Sequence, residues 1–189
     1  MSTNSVRSES GYSAIELIVM LVIIAVLTTI AALQVGASLP AFRGDGGMRV
    51  LASQMTTARE LAIAERRYMR VTFTAPNLLQ IVREEVPGPT TTVVKSVVFE
   101  SGVQYLLVTG VPDTPDGFGR SAAVSFGTVT NVKFSPDGTL VNQDGVSVNG
   151  TVFLAISGAA PLSARAVTVL GSTGRVRAYK WNGRQWKLA

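Results

Sequence analysis

The chain has 189 residues and a formal net charge of +5; 47% of its residues are hydrophobic and only 15% charged. It contains no cysteine and no histidine, which excludes disulfides, thiolate zinc centres, cysteine nucleophiles and histidine-based triads. The length suits one globular domain plus an anchor.

Residues 1–10 are polar and include Arg7 and Glu9. Gly11-Tyr12-Ser13-Ala14-Ile15-Glu16-Leu17 follows, and Ile18 to Leu33 carries no charge, with Thr28 and Thr29 its only polar pair. A secretory signal peptide places its small-residue cleavage site after the apolar region. Here the small residue precedes it, so cleavage after Gly11 would leave the apolar helix on the mature chain. Leu17 to Leu33 meets the lower length limit of a membrane-spanning helix, about 17–25 residues. A buried core helix suits a run this long without charge less well. Arg7 predicts a cytoplasmic N-terminus. Glu16 is costly at the edge of an apolar helix unless it finds a partner. Cleavage would create a new amine at Tyr12, four residues earlier and about one helical turn away. Amine and carboxylate could then pair within one subunit or between neighbours; a plain interfacial carboxylate is the alternative.

The order of leader, Gly, aromatic, Ser, Glu at the fifth mature position and apolar helix resembles the class III signal of type IV pilins and pseudopilins. The resemblance implies cleavage between Gly11 and Tyr12 by a prepilin peptidase and N-methylation of Tyr12. Phe is commoner than Tyr at that position. It also implies a single-pass protein of the inner membrane with a periplasmic globular domain, which later enters a filament with other pilins or pseudopilins.

Beyond the apolar run, Gln34-Val35-Gly36, Pro40 and Gly44-Asp45-Gly46-Gly47 predict a kink, loop or linker over residues 36–47. The expected organisation is a leader at 1–11, a transmembrane or assembly helix at 12–35, the linker at 36–47 and a globular domain at 48–189. Met48, Leu51, Met55, Ala58, Leu61 and Ala62 recur at helical spacing, with Arg49, Gln54, Arg59, Glu60 and Arg66 on the polar side. From Arg70 the period changes to two. Strands are predicted at 70–73, 78–83, 93–99, 104–108, 123–126, 131–134, 151–156, 166–170 and 175–181, separated by Pro/Gly/Asn turns. Many short strands of this kind predict an antiparallel sandwich with one amphipathic helix packed on it.

The stretch Leu51-Ala52-Ser53-Gln54-Met55-Thr56-Thr57-Ala58-Arg59-Glu60-Leu61-Ala62-Ile63, the Phe134-Ser135-Pro136-Asp137-Gly138-Thr139 turn and the closing Gly174-Arg175-Val176-Arg177 resemble the GspH/FimT branch of pilin-like proteins. The fold class implied is α+β: a pilin-like fold whose long N-terminal helix, transmembrane half plus amphipathic half, packs on an antiparallel β-sandwich.

No catalytic constellation stands out, so a non-enzymatic role and no cofactor are expected. Asp113 and Asp116, flanking Thr114 and Pro115, could be weak calcium ligands, but turn formation explains them better; no metal site is assigned. After Asp144 there is no acidic residue. Arg175 and Arg177 share one strand face. Lys180, Arg184 and Lys187 follow, interleaved with Tyr179, Trp181 and Trp186. Cations pair with phosphates and aromatic rings stack on exposed bases. Asn182-Gly183 signals a tight turn, which would join Tyr179–Trp181 to Arg184–Trp186. In the family the resemblance points to, some FimT-like minor pilins bind DNA through a C-terminal Gly-Arg-x-Arg motif. That implies a DNA-binding set of Arg175, Arg177, Lys180, Trp181, Arg184, Trp186 and Lys187. The bland alternative has tryptophans closing the core and arginines in solvent. Three readings stay open: a DNA-capturing minor pilin, a tip-complex pseudopilin of type II secretion contacting other pseudopilins or cargo, and a membrane-anchored enzyme or binding protein outside any filament. Lipid association of the basic tail is a further possibility.

Overall fold

The computed structural model describes residues 13–127 and 131–189. One helix, α1 (Ala14–Glu65), precedes eleven strands: β1 (Met69–Thr74), β2 (Leu78–Glu84), β3 (Thr91–Val98), β4 (Val103–Tyr105), β5 (Val124–Ser125), β6 (Val132–Phe134), β7 (Leu140–Val141), β8 (Gly150–Ile156), β9 (Arg165–Leu170), β10 (Arg175–Trp181) and β11 (Trp186–Leu188). The chain forms two compact units that meet within α1, between Leu39 and Pro40.

In the first unit, every side chain described between Ser13 and Leu39 is exposed. Ala14–Ala32 is a helix long and apolar enough to cross a membrane. Its two threonines do not spoil that character. The Thr28 hydroxyl donates to the Ile24 and Ala25 carbonyls, and the Thr29 hydroxyl to the Ala25 carbonyl, so both polar groups are satisfied by the helix itself.

Residues 36–47, expected as a kink, loop or linker, are helical, Pro40 included. Proline removes one backbone donor and crowds the preceding turn, which weakens a helix without abolishing it when packing compensates. The glycines have a separate cause. A Cβ on Gly44 would lie 2.7 Å from the Ser163 carbonyl oxygen, and one on Gly47 would lie 2.6 Å from Val103 Cγ1. They let the helix approach the second sheet closely, and the packing outweighs their poor helix propensity.

In the second unit the strands form two antiparallel sheets, ordered β3-β2-β1-β6-β7 and β11-β10-β9-β8-β4, with β5 also pairing to β8. Met48, Leu51, Met55, Ala58 and Ala62 of α1 share one core with Met69, Val71, Leu79 and Ile81 of the first sheet and Val152, Leu154, Val167 and Val169 of the second. The α+β class and the helix packed on antiparallel sheets are therefore as expected from the sequence. Gln54, expected on the polar side of the helix, is buried.

Arg165 ties α1 to the second sheet. Its side chain is 4% exposed and donates from Nε to Asp45 at 2.6 Å. Its other nitrogens reach the carbonyls of Ala41 at 2.9 Å, Ala164 at 2.8 Å and Leu162 at 3.1 Å.

The Ser135–Thr139 turn following β6 is built around Asp137. Its carboxylate accepts from the Ser135 hydroxyl, from the Thr139 amide at 3.0 Å and from the Thr139 hydroxyl at 2.8 Å. These bonds favour the charged form and bring its pKa down to about 2. A carboxyl pKa lowered by folding stabilises above its unfolded value, near 3.9, and that contribution disappears as pH falls through about 2. Titrating the Asp137 carboxyl by NMR should give an inflection near 2. An inflection near 4, the ordinary carboxylate value, would mean that the turn does not hold the charge.

Candidate functional site

The sequence nominates two regions. At the N-terminal end, Gly11 and Tyr12 lie outside the described residues. Glu16 occupies the first turn of α1 and is exposed. The Ser13 carbonyl accepts from the amides of Glu16 and Leu17, at 3.0 and 3.2 Å, so the helix begins immediately before Ala14.

At the other end, β10 and β11 form a hairpin in the register Tyr179↔Leu188, Lys180↔Lys187 and Trp181↔Trp186. The turn spans Asn182–Gln185 and is longer than the expected two-residue turn. The Asn182 side-chain oxygen accepts the amides of Arg184 at 2.9 Å and Gln185 at 2.8 Å. The second strand accordingly starts at Trp186 and not at Arg184.

Alternation along β10 separates the nominated cations. Arg175, Arg177, Tyr179 and Trp181 lie on one face, and Val176, Ala178 and Lys180 on the other. Val176 and Ala178 pack on the core shared with α1. On that same face Arg165, Lys180 and Lys187 lie opposite one another across β9, β10 and β11. Three cations thus form a row, of which Arg165 is neutralised by Asp45. Arg184 is exposed in the turn. The seven expected contact residues do not converge on a single patch.

The tryptophans require a correction. Trp181 and Trp186 are each 9% exposed and belong to a second apolar cluster with Val111, Phe153, Ala164, Ala166 and Tyr179. Their rings meet edge to face at 5.5 Å, and Trp186 also lies 6.2 Å from Phe153. The indole N–H of Trp186 donates to the Pro112 carbonyl at 2.9 Å. These rings hold down the segment between β4 and β5, which contributes Leu107, Val108 and Val111. They do not offer free faces to bases.

That segment also alters the arginine face. Asp116 accepts from Arg177 at 2.5 Å and from the Thr168 hydroxyl at 2.6 Å. Burial alone would raise its pKa, but hydrogen bonds from Thr168, Tyr179 and Arg177 outweigh it and hold the carboxyl below its ordinary value. Asp116 sits in the turn from Thr114 to Gly117, closed by the Gly117 amide donating to the Thr114 carbonyl at 2.9 Å, as expected; its carboxylate is not free for calcium but anchors the segment to β9 and β10. Asp113 also behaves as a turn residue, accepting the amides of Thr114 at 2.7 Å and Gly119 at 3.0 Å. Among the described residues no cluster of acidic side chains could hold a metal ion. Arg175 is exposed and makes no ion pair among the described residues. It lines a shallow pocket of about 150 Å³ with Asp116, Phe118, Thr168, Leu170 and Arg177.

The glycine of Gly174-Arg175-Val176-Arg177 has a structural cause. Its φ is +62°, and a Cβ there would lie 2.1 Å from the Gly138 carbonyl oxygen. The same carbonyl accepts from Arg59 Nε at 3.2 Å. Val176 packs on the core and Arg177 pairs with Asp116, so Arg175 is the residue of the motif without an internal role among the described residues. The partnership of Asp116 with Arg177 was missed because the two are 61 positions apart. The sequence hint was slight: Asp113 and Asp116 share a long loop in a chain with no acidic residue after Asp144.

No family model matches the chain, and no curated protein matches it. Among solved structures it is similar to the type IV minor pilin FimU of Pseudomonas aeruginosa, at 15% identity over 70% of this chain and 84% of that chain, with a TM-score of 0.47. A second crystal form of FimU gives 14% identity over 71% and 90%, again at 0.47. It is likewise similar to the minor pseudopilin EpsH from the type 2 secretion system of Vibrio cholerae, at 11% identity over 72% of this chain and 95% of that chain, with a TM-score of 0.47.

Proposed function

We propose that this chain is a non-enzymatic minor pilin or pseudopilin. A prepilin peptidase removes residues 1–11, the helix holds the mature chain in the inner membrane with its globular domain in the periplasm, and the subunit then joins a filament with other pilins or pseudopilins. The observation that carries this reading is one of order. A polar leader ends at Gly11, a carboxylate stands at Glu16 in the first helical turn, and an uncovered apolar helix follows over Ala14–Ala32. A carboxylate on an apolar helix suits a structure that supplies a cation at that depth, and the amine exposed at Tyr12 by cleavage is such a cation. Co-expression with a prepilin peptidase tests this. Mass spectrometry should find a mature N-terminus at Tyr12, N-methylated; an intact Met1 terminus under those conditions would overturn it.

A second reading concerns what the domain does in the filament. Arg175 is exposed beside Arg177, and Lys180 and Lys187 oppose each other on the hairpin's other face; no acidic residue follows Asp144. These features favour capture of DNA through phosphate contacts, with Arg175, Lys180, Arg184 and Lys187 as cations without an ion pair among the described residues and no stacking by Trp181 or Trp186. Each phosphate contact adds about 0.9 to the slope of log K against log salt on duplex DNA. Arg175→Ala should lower that slope by about one. Asp116→Asn, which releases Arg177, should raise the low-salt affinity and steepen the slope by about one. If the full chain gives no gel shift at low salt, the tip-complex role, contacting other pseudopilins or cargo, replaces DNA capture.

A further inference from the structure

Strand β3 ends the first sheet and pairs only with β2 among the described strands. Its outer edge therefore presents unpaired backbone donors and acceptors, which another extended backbone would complement. Every position from Thr91 to Ser96 is exposed. Val93, Val94 and Val98 are 54%, 39% and 56% exposed. A valine-rich run of this kind has the composition of a strand covered on both faces, yet among the described residues nothing covers it.

The edge also carries two devices that restrict its partners. The register steps from Ile81↔Lys95 to Val82↔Val93, leaving Val94 as an extra, bulged residue. Bulges and edge lysines discourage indiscriminate strand pairing. Lys95 is exposed and has no ion pair among the described residues. Pairing of two identical β3 edges would crowd two such ammonium groups onto one short ladder, whereas a carboxylate on an incoming strand would complement the charge.

Beside the end of β3, a groove of about 440 Å³ opens between the strand and α1. Its walls include Val50 from the helix and Val97, Val98 and Phe99 from the strand; Gly46 and Arg43 lie along its helix side. Gly46 differs from the neighbouring glycines, because a Cβ there would meet nothing within 4 Å. Packing among the described residues gives no reason for this helix-weakening residue, but its missing side chain keeps the groove open.

We propose that β3 and this groove form a docking edge for an extended segment of another protein. The segment adds as a strand along Lys95–Val98, sets a carboxylate against Lys95 and inserts an apolar side chain over Gly46. The occupant is thus an acidic, β-branched-rich strand, and the proposal does not depend on the pilin-like reading.

A random decapeptide library displayed on phage, selected against the full-length chain in detergent micelles, tests it. Enriched peptides should alternate apolar or β-branched residues with polar ones and carry Asp or Glu. Their synthetic forms should slow hydrogen exchange in residues 91–98. Lys95→Glu should weaken them at least about tenfold and favour versions in which the acid is replaced by lysine. Gly46→Leu, placed where nothing within 4 Å opposes it, should weaken the same peptides while the domain's melting temperature holds or rises. No enrichment over a protein-free control, protection confined to other segments, or equal binding to Lys95→Glu and Gly46→Leu would each overturn the proposal. Concentration-dependent protection of 91–98 without any peptide would replace the occupant with a second copy of this chain.

Discussion

Replacing Arg165 with methionine should destabilise the Pro40–Ala189 unit by about 3–5 kcal/mol, the range for breaking a buried ion pair from one side. The guanidinium is 4% exposed and bridges the Asp45 carboxylate to carbonyls of α1 and of the segment before β9. Methionine can occupy the space of the side chain's stem but returns none of those bonds. Asp45 is left without its cation; its side chain is 21% exposed, so it recovers only part of its hydration. For a domain of this size, the loss corresponds to a fall in melting temperature of roughly 6–20 °C. Asp45→Leu combined with Arg165→Met should recover much of it, because an apolar pair leaves no uncompensated charge. Denaturant titration of the full chain in micelles compares both variants with the parent chain. A single-variant loss below about 1 kcal/mol, the scale of an exposed pair, would show that the bridge is not the clasp between helix and sheet.

The reach of the sequence varied with how local each cause was. The core face of α1 was legible because Met48, Leu51, Met55, Ala58, Leu61 and Ala62 repeat at helical spacing; all are buried except Leu61, which is partly buried against the same core. The long strands were legible for the corresponding reason, while β7, only two residues long, left no period to read. Residues 36–47 misled because Gly44 and Gly47 look like breakers in sequence, whereas their reason lies in Ser163 and Val103, far along the chain. The hairpin misled in the same way. Alternation correctly put Arg175 and Arg177 on one face, but it put Tyr179 and Trp181 there too, and sequence cannot tell whether a face meets solvent or a folded-over loop. Leu107, Val108 and Val111 decide that. Of the two readings open for the tryptophans, stacking on bases or closing a core, their place in the second apolar cluster fits the latter.

The processing proposed after Gly11 leads to a prediction with an all-or-none outcome. Changing Gly11 to valine should leave residues 1–11 attached, raising the mass of the membrane-bound chain by that of the leader. The physical consequence extends beyond mass. With the leader retained, the amine of Tyr12 is an uncharged peptide nitrogen, so Glu16 loses the cation proposed to neutralise it on leaving the membrane. Such a chain should remain in the membrane and be absent from sheared filaments. Glu16→Leu separates the two steps. Cleavage should still give Tyr12 at the N-terminus, since the Gly11–Tyr12 bond is unchanged, and the more apolar helix should insert at least as well. Entry into the filament should nevertheless be lost if Glu16 pairs, as proposed, with the Tyr12 amine during assembly. Normal filament entry of Glu16→Leu would leave Glu16 as an interfacial carboxylate without an assembly role, and mature Tyr12 termini in Gly11→Val would sink the processing proposal itself.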